Sequence, residues 1–115
     1  MKSLAGHMRA VTLIAVGKVG YPEQAVLHAV SIDDTARIVP SLFPPGSGPE
    51  TVKTEALASL WKDAAGFRAA AARLQAESAS LVRAAKGKDT AALRAQAEAV
   101  SKACSACHDV YRQSR

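Results

Sequence analysis

Aromatic residues and cysteines are scarce in this sequence. Of its 115 residues, 4% are aromatic and two are cysteine, whereas 49% are hydrophobic and many of these are alanine. Because each alanine buries little apolar surface, the composition indicates a thin core. The length suits one domain, over residues 1–115, built around that single core.

Long apolar runs and dense basic tracts are also missing. No stretch approaches the roughly 20 apolar residues that a membrane-spanning helix needs, so we do not expect the chain to span a membrane. The net charge of +5 favours acidic partner proteins through long-range steering. The basic residues are too evenly spread, and too seldom interleaved with aromatic residues, to indicate nucleic-acid binding.

A short apolar segment near the N-terminus admits two interpretations. Lys2 and Arg9 precede residues 10–16, which could form the core of a signal peptide. Lys18 follows closely, however, and no small-x-small cleavage site appears. We therefore interpret residues 2–18 as an amphipathic helix and expect no signal sequence in this chain.

The pattern with the clearest chemistry is Cys104-Ser105-Ala106-Cys107-His108, close to the C-terminus. Two cysteines three positions apart, followed by histidine, form the attachment motif of a c-type haem. Positions i and i+3 share a helix face, so both thiols can reach the vinyl groups on one porphyrin edge. The imidazole of His108 lies on the same side and can bind the iron as proximal ligand. The sequence thus predicts one covalent haem c, whose apolar surface compensates for the thin core.

Three alternatives for this motif remain open. A structural zinc site normally needs four ligands, whereas His7 and His28 lie far from the motif in sequence and show no paired spacing. A thioredoxin-like redox pair requires a strand–helix context, which the sequence does not show. A disulfide between the two cysteines is geometrically possible but leaves His108 without a role.

Hydrophobic periodicity predicts an all-α protein with four helices, over residues 2–18, 21–39, 55–86 and 89–111. Gly17 and Gly20 are expected to end the first helix, Tyr21-Pro22-Glu23 to begin the second, and Asp89 to cap the fourth. Short connections and one longer loop, residues 44–49, favour an antiparallel, up-down-up-down four-helix bundle. The haem motif continues the buried stripe of the last helix.

Three further side chains are candidates for the haem surroundings. Trp61 can stack on a haem, fill the core, or do both. Met1 and Met8 fall on the apolar stripe of the first helix, where each is a candidate sixth iron ligand and core packing is the alternative. We interpret His28 as a boundary or surface residue and not as a ligand.

The chain resembles the class II c-type cytochromes, in particular the cytochrome c′ family. The resemblance rests on the C-terminal motif, on Leu42-Phe43-Pro44-Pro45-Gly46, on Lys53-Thr54-Glu55-Ala56 before Leu60-Trp61, and on the start, Met1-Lys2-Ser3-Leu4-Ala5-Gly6-His7-Met8. It covers essentially all of the sequence. The position of the motif is specific, because most other c-type cytochromes carry it near the N-terminus.

The resemblance implies a left-twisted bundle, a bacterial periplasmic location and homodimers formed through the first two helices. It implies thioether bonds at Cys104 and Cys107 and a high-spin iron with His108 as its sole protein ligand. Arg112 matches an arginine that lies against this histidine, and Glu55 matches an acidic position near the haem edge. Family members carry additional N-terminal residues that cover the distal iron face, so we expect a more open distal pocket here.

Two functions follow. A small, mildly basic haem protein without an acid–base or nucleophile constellation suits one-electron transfer between redox partner proteins, and we do not expect an enzyme. The alternative is a protein that binds nitric oxide or carbon monoxide, for scavenging or sensing, because a five-coordinate iron keeps one position open.

Overall fold

The computed structural model describes residues 1–18 and 22–114. In this part of the chain the α-helices are α1 (Lys2–Ala15), α2 (Gln24–Ile38), α3 (Ser59–Lys62), α4 (Ala64–Lys86) and α5 (Thr90–Tyr111). A 3-10 turn, Val39–Leu42, follows α2 directly and contains Pro40.

The four long helices form the predicted bundle. Helix α1 packs against α2 and α5, and α4 packs against the same two helices on the other side. Each long helix therefore has two neighbours, which is the arrangement of a four-helix bundle. The predicted all-α fold is confirmed.

Local signals set two of the helix boundaries as predicted. Gly17 follows α1 with φ of +73°, in the left-handed region that glycine adopts without a steric penalty. The Asp89 carboxylate accepts hydrogen bonds from the backbone N–H groups of Ala91 and Ala92 and so caps α5. The roles predicted for Gly20 and Tyr21 lie outside the described residues.

The prediction of one continuous helix from Glu55 to Lys86 is wrong. Residues 55–58 are not helical, α3 is a single turn, and the chain breaks at Asp63, where φ is −114° and ψ is 58°. The Asp63 carboxylate then accepts a hydrogen bond of 3.1 Å from the Gly66 N–H and caps α4. Leu57, which helical spacing placed on the buried stripe, is correspondingly exposed.

Small and aliphatic side chains fill most of the bundle. Four positions on the predicted stripe of α5 are buried, at Leu93, Ala97, Val100 and Tyr111. Cys104 and Cys107, on the same stripe, are only half-buried. The core of α5 thus opens towards solvent where the haem motif begins.

Candidate haem site

A cavity of about 370 Å³ lies at the end of the bundle where α5 terminates. This volume falls within the roughly 300–1,000 Å³ range of small-molecule and cofactor sites. Side chains from the start of α1, from the segment before α3, and from α4 and α5 form its walls. The lining residues are Met1, Lys2, Ala5, Phe43, Thr54, Glu55, Ala56, Leu60, Phe67, Cys107, His108, Tyr111 and Arg112.

The haem motif forms one wall of this cavity. Cys107 and His108 line it directly, whereas Cys104 lies one helical turn earlier, half-buried against the core. Both cysteines are free thiols in the structure. Burial raises the pKa of the Cys104 thiol, and burial together with the neighbouring Cys104 raises the pKa of the Cys107 thiol. Both groups are therefore protonated at neutral pH.

A short antiparallel pairing joins the segment before α3 to the end of α5. The N–H of Leu57 donates to the carbonyl of Tyr111 at 2.8 Å, and the N–H of Gln113 donates to the carbonyl of Glu55 at 2.7 Å. Arg112, which ends α5 in an extended conformation, faces Ala56 across this pairing. These bonds explain why residues 55–57 leave the helix that their hydrophobic spacing predicts.

The pairing brings two predicted site residues together at the cavity rim. The Nε and Nη2 atoms of Arg112 each lie 3.3 Å from Oε2 of Glu55. Both guanidinium donors thus converge on a single carboxylate oxygen. Since both side chains are partly exposed, the ion pair adds little stability, and its position beside the cavity matters more.

Tyr111 connects the cavity wall to the break between α3 and α4. Its hydroxyl donates a hydrogen bond of 2.7 Å to Oδ2 of Asp63. This bond to Asp63 raises the pKa of Tyr111 because it stabilises the neutral phenol, and burial adds to the shift. Sequence reasoning missed Asp63; the available signal was a preferred N-cap residue directly before the alanine-rich start of α4.

Four aromatic rings form a contiguous cluster beside the cavity. Phe43 lies edge-on to Trp61, with ring centroids 6.3 Å apart, and edge-on to Phe67 at 5.6 Å; Phe67 meets Tyr111 at 5.6 Å. The indole N–H of Trp61 donates to the carbonyls of Phe43 and Pro44, at 3.2 Å each. Trp61 does not line the cavity, so its contact with the site runs through Phe43.

The methionines and the remaining histidines occupy different surroundings. Met1 borders the cavity and is 51% exposed, whereas Met8 packs against the core away from the cavity. His7 and His28 do not border it either, and their rings meet each other across the interface between α1 and α2. The two histidines show no paired spacing in the sequence, and helix packing brings them together.

The site has the donor set that a c-type haem requires, beside a cavity whose volume is in the range of cofactor sites. Cys107 and His108 border an apolar cavity, Cys104 lies one helical turn earlier on the same helix, and two cationic side chains, Lys2 and Arg112, lie at the cavity rim. The residues present therefore fit the group. A four-helix bundle with this motif on its last helix defines a class II c-type haem protein.

Comparison with known proteins agrees with this class. The family model for cytochrome c′ matches residues 1–112. Cytochrome c′ of Pararhodospirillum photometricum is 31% identical over 98% of this chain and 90% of its own. The crystal structure of cytochrome c′ from Rubrivivax gelatinosus superposes with a TM-score of 0.89 at 30% identity, covering 97% of this chain and 88% of that one.

A nitric oxide complex of a mutant cytochrome c prime from Alcaligenes xylosoxidans is also similar, with a TM-score of 0.86 at 28% identity over 96% of this chain and 86% of that one. The chain belongs to the cytochrome c′ family, whose members are haem proteins. No helix in the described part of the chain is long and apolar enough to cross a membrane.

Proposed function

We propose that this chain is a periplasmic one-electron carrier with one covalently attached haem c. The observation that carries the proposal is the position of Cys107 and His108 in the wall of an apolar cavity, in a chain of a haem-protein family. Haem, when bound, supplies an iron that alternates between the ferric and ferrous states and can keep one position open to a diatomic gas. The proposed role is electron carriage and not turnover of a substrate.

Cys104 and Cys107 are the proposed attachment residues. They lie three positions apart on α5, with His108 directly after them as the proposed sole protein ligand of a high-spin iron. Because burial raises the pKa of both thiols, the fraction of thiolate is small.

The other cavity residues set the environment of the proposed iron ligand. Phe43, Leu60 and Phe67 exclude water from one side, which lowers the local dielectric constant. The positive charges of Lys2 and Arg112 favour gain of an electron, and Glu55 opposes them. Because Arg112 is paired with Glu55, part of its effect is cancelled.

The decisive test is expression in cells competent for cytochrome maturation. We expect haem that stays attached after denaturation, a high-spin ferric visible spectrum, and a reversible one-electron wave in voltammetry. The variant Cys104→Ser/Cys107→Ser is expected to lose covalent haem. The matched control Ser105→Ala, an exposed change inside the same motif, is expected to keep it.

Two outcomes of this experiment contradict the proposal. A colourless protein whose two thiols react with an alkylating reagent excludes haem attachment. A haem-bearing protein without a reversible one-electron wave excludes electron carriage. The proposed location is tested separately, by fractionating native cells into periplasm and cytoplasm and probing each fraction for covalent haem.

The proposed partners are redox proteins with acidic surfaces and a second copy of this chain. The net charge of +5 supports the former through long-range steering. Exposed apolar side chains on α2, including Leu27, Val30 and Ile38, support a homodimer through the first two helices. Light scattering is expected to give the mass of a dimer for the wild type and of a monomer for Leu27→Asp.

Binding of nitric oxide or carbon monoxide is the second candidate function. It is favoured by the solved nitric oxide complexes of cytochrome c prime from Alcaligenes xylosoxidans. In this chain, Met1, Lys2 and Ala5 line the part of the cavity that α1 contributes. Spectra of the ferrous protein with and without nitric oxide test the proposal, and an unaltered six-coordinate, low-spin spectrum would contradict it.

Met8 is a further candidate for a ligand that would block gas binding, and its position makes the test direct. It packs against the core and does not line the cavity. We therefore expect Met8→Ala to leave the visible spectrum unchanged. A change of spin state in this variant would identify Met8 as an iron ligand and would argue against an open position.

A further inference from the structure

The side chains of His7 on α1 and His28 on α2 meet outside the cavity. Their Nδ1 atoms are 2.9 Å apart, their ring centroids are 5.2 Å apart, and their planes are inclined by 47°. Both residues are half-buried. In this contact one Nδ1 must carry a proton and donate to the other, which accepts through its lone pair.

We propose that this histidine pair is a binding site for a divalent late transition-metal ion, with Cu²⁺ preferred. Imidazole nitrogens bind such ions at about 2.0–2.1 Å. Two of them at a right angle are then about 2.9 Å apart, whereas tetrahedral ligands are separated by roughly 3.3 Å. The observed separation is compatible with two imidazoles at adjacent positions around one ion, and Cu²⁺ leads the affinity order of the divalent ions.

Binding requires little rearrangement of the chain. The donating ring takes the tautomer that carries its proton on Nε2 instead of Nδ1, so that both Nδ1 lone pairs become available to the metal. Two long helices that pack against each other hold the rings in place, which reduces the entropy lost on binding.

The number of ligands limits the affinity. Among the described residues, no group of three or more histidine, cysteine, aspartate or glutamate side chains could hold a metal ion. Water must therefore complete the coordination shell, and we expect weaker binding than at a structural zinc site, which has four protein ligands. Neither histidine borders the haem cavity, so the site does not depend on the proposed haem function.

The test is a calorimetric titration of the haem-bearing protein with CuCl₂ and with NiCl₂, after alkylation of any free thiol. We expect one Cu²⁺ per chain, weaker binding of Ni²⁺, and nitrogen hyperfine structure from two imidazoles in the electron paramagnetic resonance spectrum. His28→Gln and His7→Gln are each expected to lower the Cu²⁺ affinity at least tenfold and to leave coupling to no more than one nitrogen.

A matched control separates this site from general binding by surface histidines. The variant His28→Gln/Ala72→His keeps the number of histidines but moves one imidazole to an exposed position on α4, outside the first two helices. We expect this variant to bind Cu²⁺ as weakly as His28→Gln. Restored binding in the control, or equal affinity in the wild type and His28→Gln, would overturn the proposal. Circular dichroism of each variant checks that the bundle has folded.

Discussion

The cavity end of the molecule and the body of its bundle are built from different side chains. Four of the five aromatic residues gather at the cavity end, in the cluster of Trp61, Phe43, Phe67 and Tyr111. The body is packed with alanine, leucine, valine and isoleucine. Small side chains let helices approach closely, whereas large rigid rings hold walls apart around a space. A scarce residue type is thus concentrated where the chain surrounds a cofactor-sized cavity.

The two regions also differ in how polar groups are used. At the cavity end, hydrogen bonds link segments far apart in sequence, such as Tyr111 with Asp63 and Gln113 with Glu55. In the body, the hydroxyl of Ser78 is fully buried and has no hydrogen-bond partner among the described residues. Polar contacts therefore shape the site, whereas apolar packing fills most of the body, where Gln96 donates to Glu77 across α4 and α5 and His7 meets His28 across α1 and α2.

The largest expected effect comes from truncating one large side chain in each region. We expect Leu81→Ala in the body and Phe67→Ala at the cavity to lower the free energy of unfolding of the haem-bearing protein by about 2–5 and 3–5 kcal/mol respectively. In the haem-free Cys104→Ser/Cys107→Ser protein, Phe67 borders a space that is already open. In this haem-free background we therefore expect Phe67→Ala to lower the free energy of unfolding by less, and Leu81→Ala to lower it by the same amount as before.

Urea unfolding followed by circular dichroism measures all of these free energies. The comparison between the two regions depends on one difference: the loss in free energy of unfolding caused by Phe67→Ala with haem, against the loss that it causes without haem. Equal losses in the two backgrounds would show that Phe67 acts as an ordinary core residue and does not form a wall of the haem site.

Two glycines in helices provide the second test, with effects of opposite sign. A Cβ at Gly66 would collide with the Asp63 carboxylate and the Tyr111 hydroxyl, whereas a Cβ at Gly6 in α1 meets nothing within 4 Å. We expect Gly66→Ala to lose the N-cap of α4, at a cost of about 0.5–2 kcal/mol, and also the bond between Tyr111 and Asp63; together these losses outweigh the gain in helix propensity from alanine. Gly6→Ala is expected to stabilise α1 by roughly 0.5–1 kcal/mol. Thermal unfolding of both variants checks the signs, and a stabilised Gly66→Ala would contradict the proposed packing.

The hydrogen bond between Tyr111 and Asp63 makes the stability of the cavity end depend on pH. The pKa of Tyr111 is raised from 10.0 in the folded protein, chiefly by its bond to Asp63. The bond therefore contributes fully below the unfolded pKa near 10, and its contribution is lost as pH rises through the higher folded value. We expect the stability difference between the wild type and Gly66→Ala to shrink in that alkaline range. Ultraviolet titration of the phenolate is expected to give a lower pKa for Tyr111 in the variant.

Much of this architecture could be predicted because the signals were local. Each of three features depends on residues that lie close together in the sequence: the haem motif, the cap at Asp89 and the buried stripe of α5. The break at Asp63 could not be predicted from spacing, since Leu60, Ala64 and Phe67 keep a helical period across it. What interrupts the helix is a set of bonds to residues about 50 positions later, at the end of α5.

The side-chain contacts also fall into two groups: those between residues that were predicted for the site, and those that only the fold shows. Glu55 and Arg112 were predicted near the haem from a family resemblance, and the structure brings them together at the cavity rim. The contact between His7 and His28 depends on how α1 and α2 pack, and no spacing in the sequence indicates it. Residues with a chemical role could therefore be predicted from the sequence, whereas side-chain contacts between helices could be identified only from the structure.

Ser78 provides a smaller test, in the body. Its buried hydroxyl lacks a partner among the described residues, so it carries a desolvation penalty without making a hydrogen bond. We expect Ser78→Ala to raise the free energy of unfolding by about 1 kcal/mol and to leave the visible spectrum of the haem unchanged. Ser105→Ala is the matched control at an exposed position, where we expect almost no change in stability. A destabilised Ser78→Ala would indicate a hydrogen bond to a buried water molecule.

The smallest effect on stability is expected for Arg112, at the rim of the cavity. Comparing the stability and the reduction potential of its variants separates a structural role from an electronic one. We expect Arg112→Ala to change the free energy of unfolding by less than about 1 kcal/mol, because the ion pair with Glu55 is partly exposed. Removing the positive charge beside the proposed iron site should nevertheless lower the reduction potential, since that charge favours gain of an electron. Arg112→Lys keeps the charge but not the two donors to Glu55, so its reduction potential should stay near that of the wild type.

Voltammetry at low and high salt measures both variants, and the difference between their reduction potentials should shrink with salt as the exposed charge is screened. Equal potentials for Arg112→Ala and Arg112→Lys would show that the charge at this position does not act on the iron, and that the arginine serves only to hold the end of α5 against Glu55.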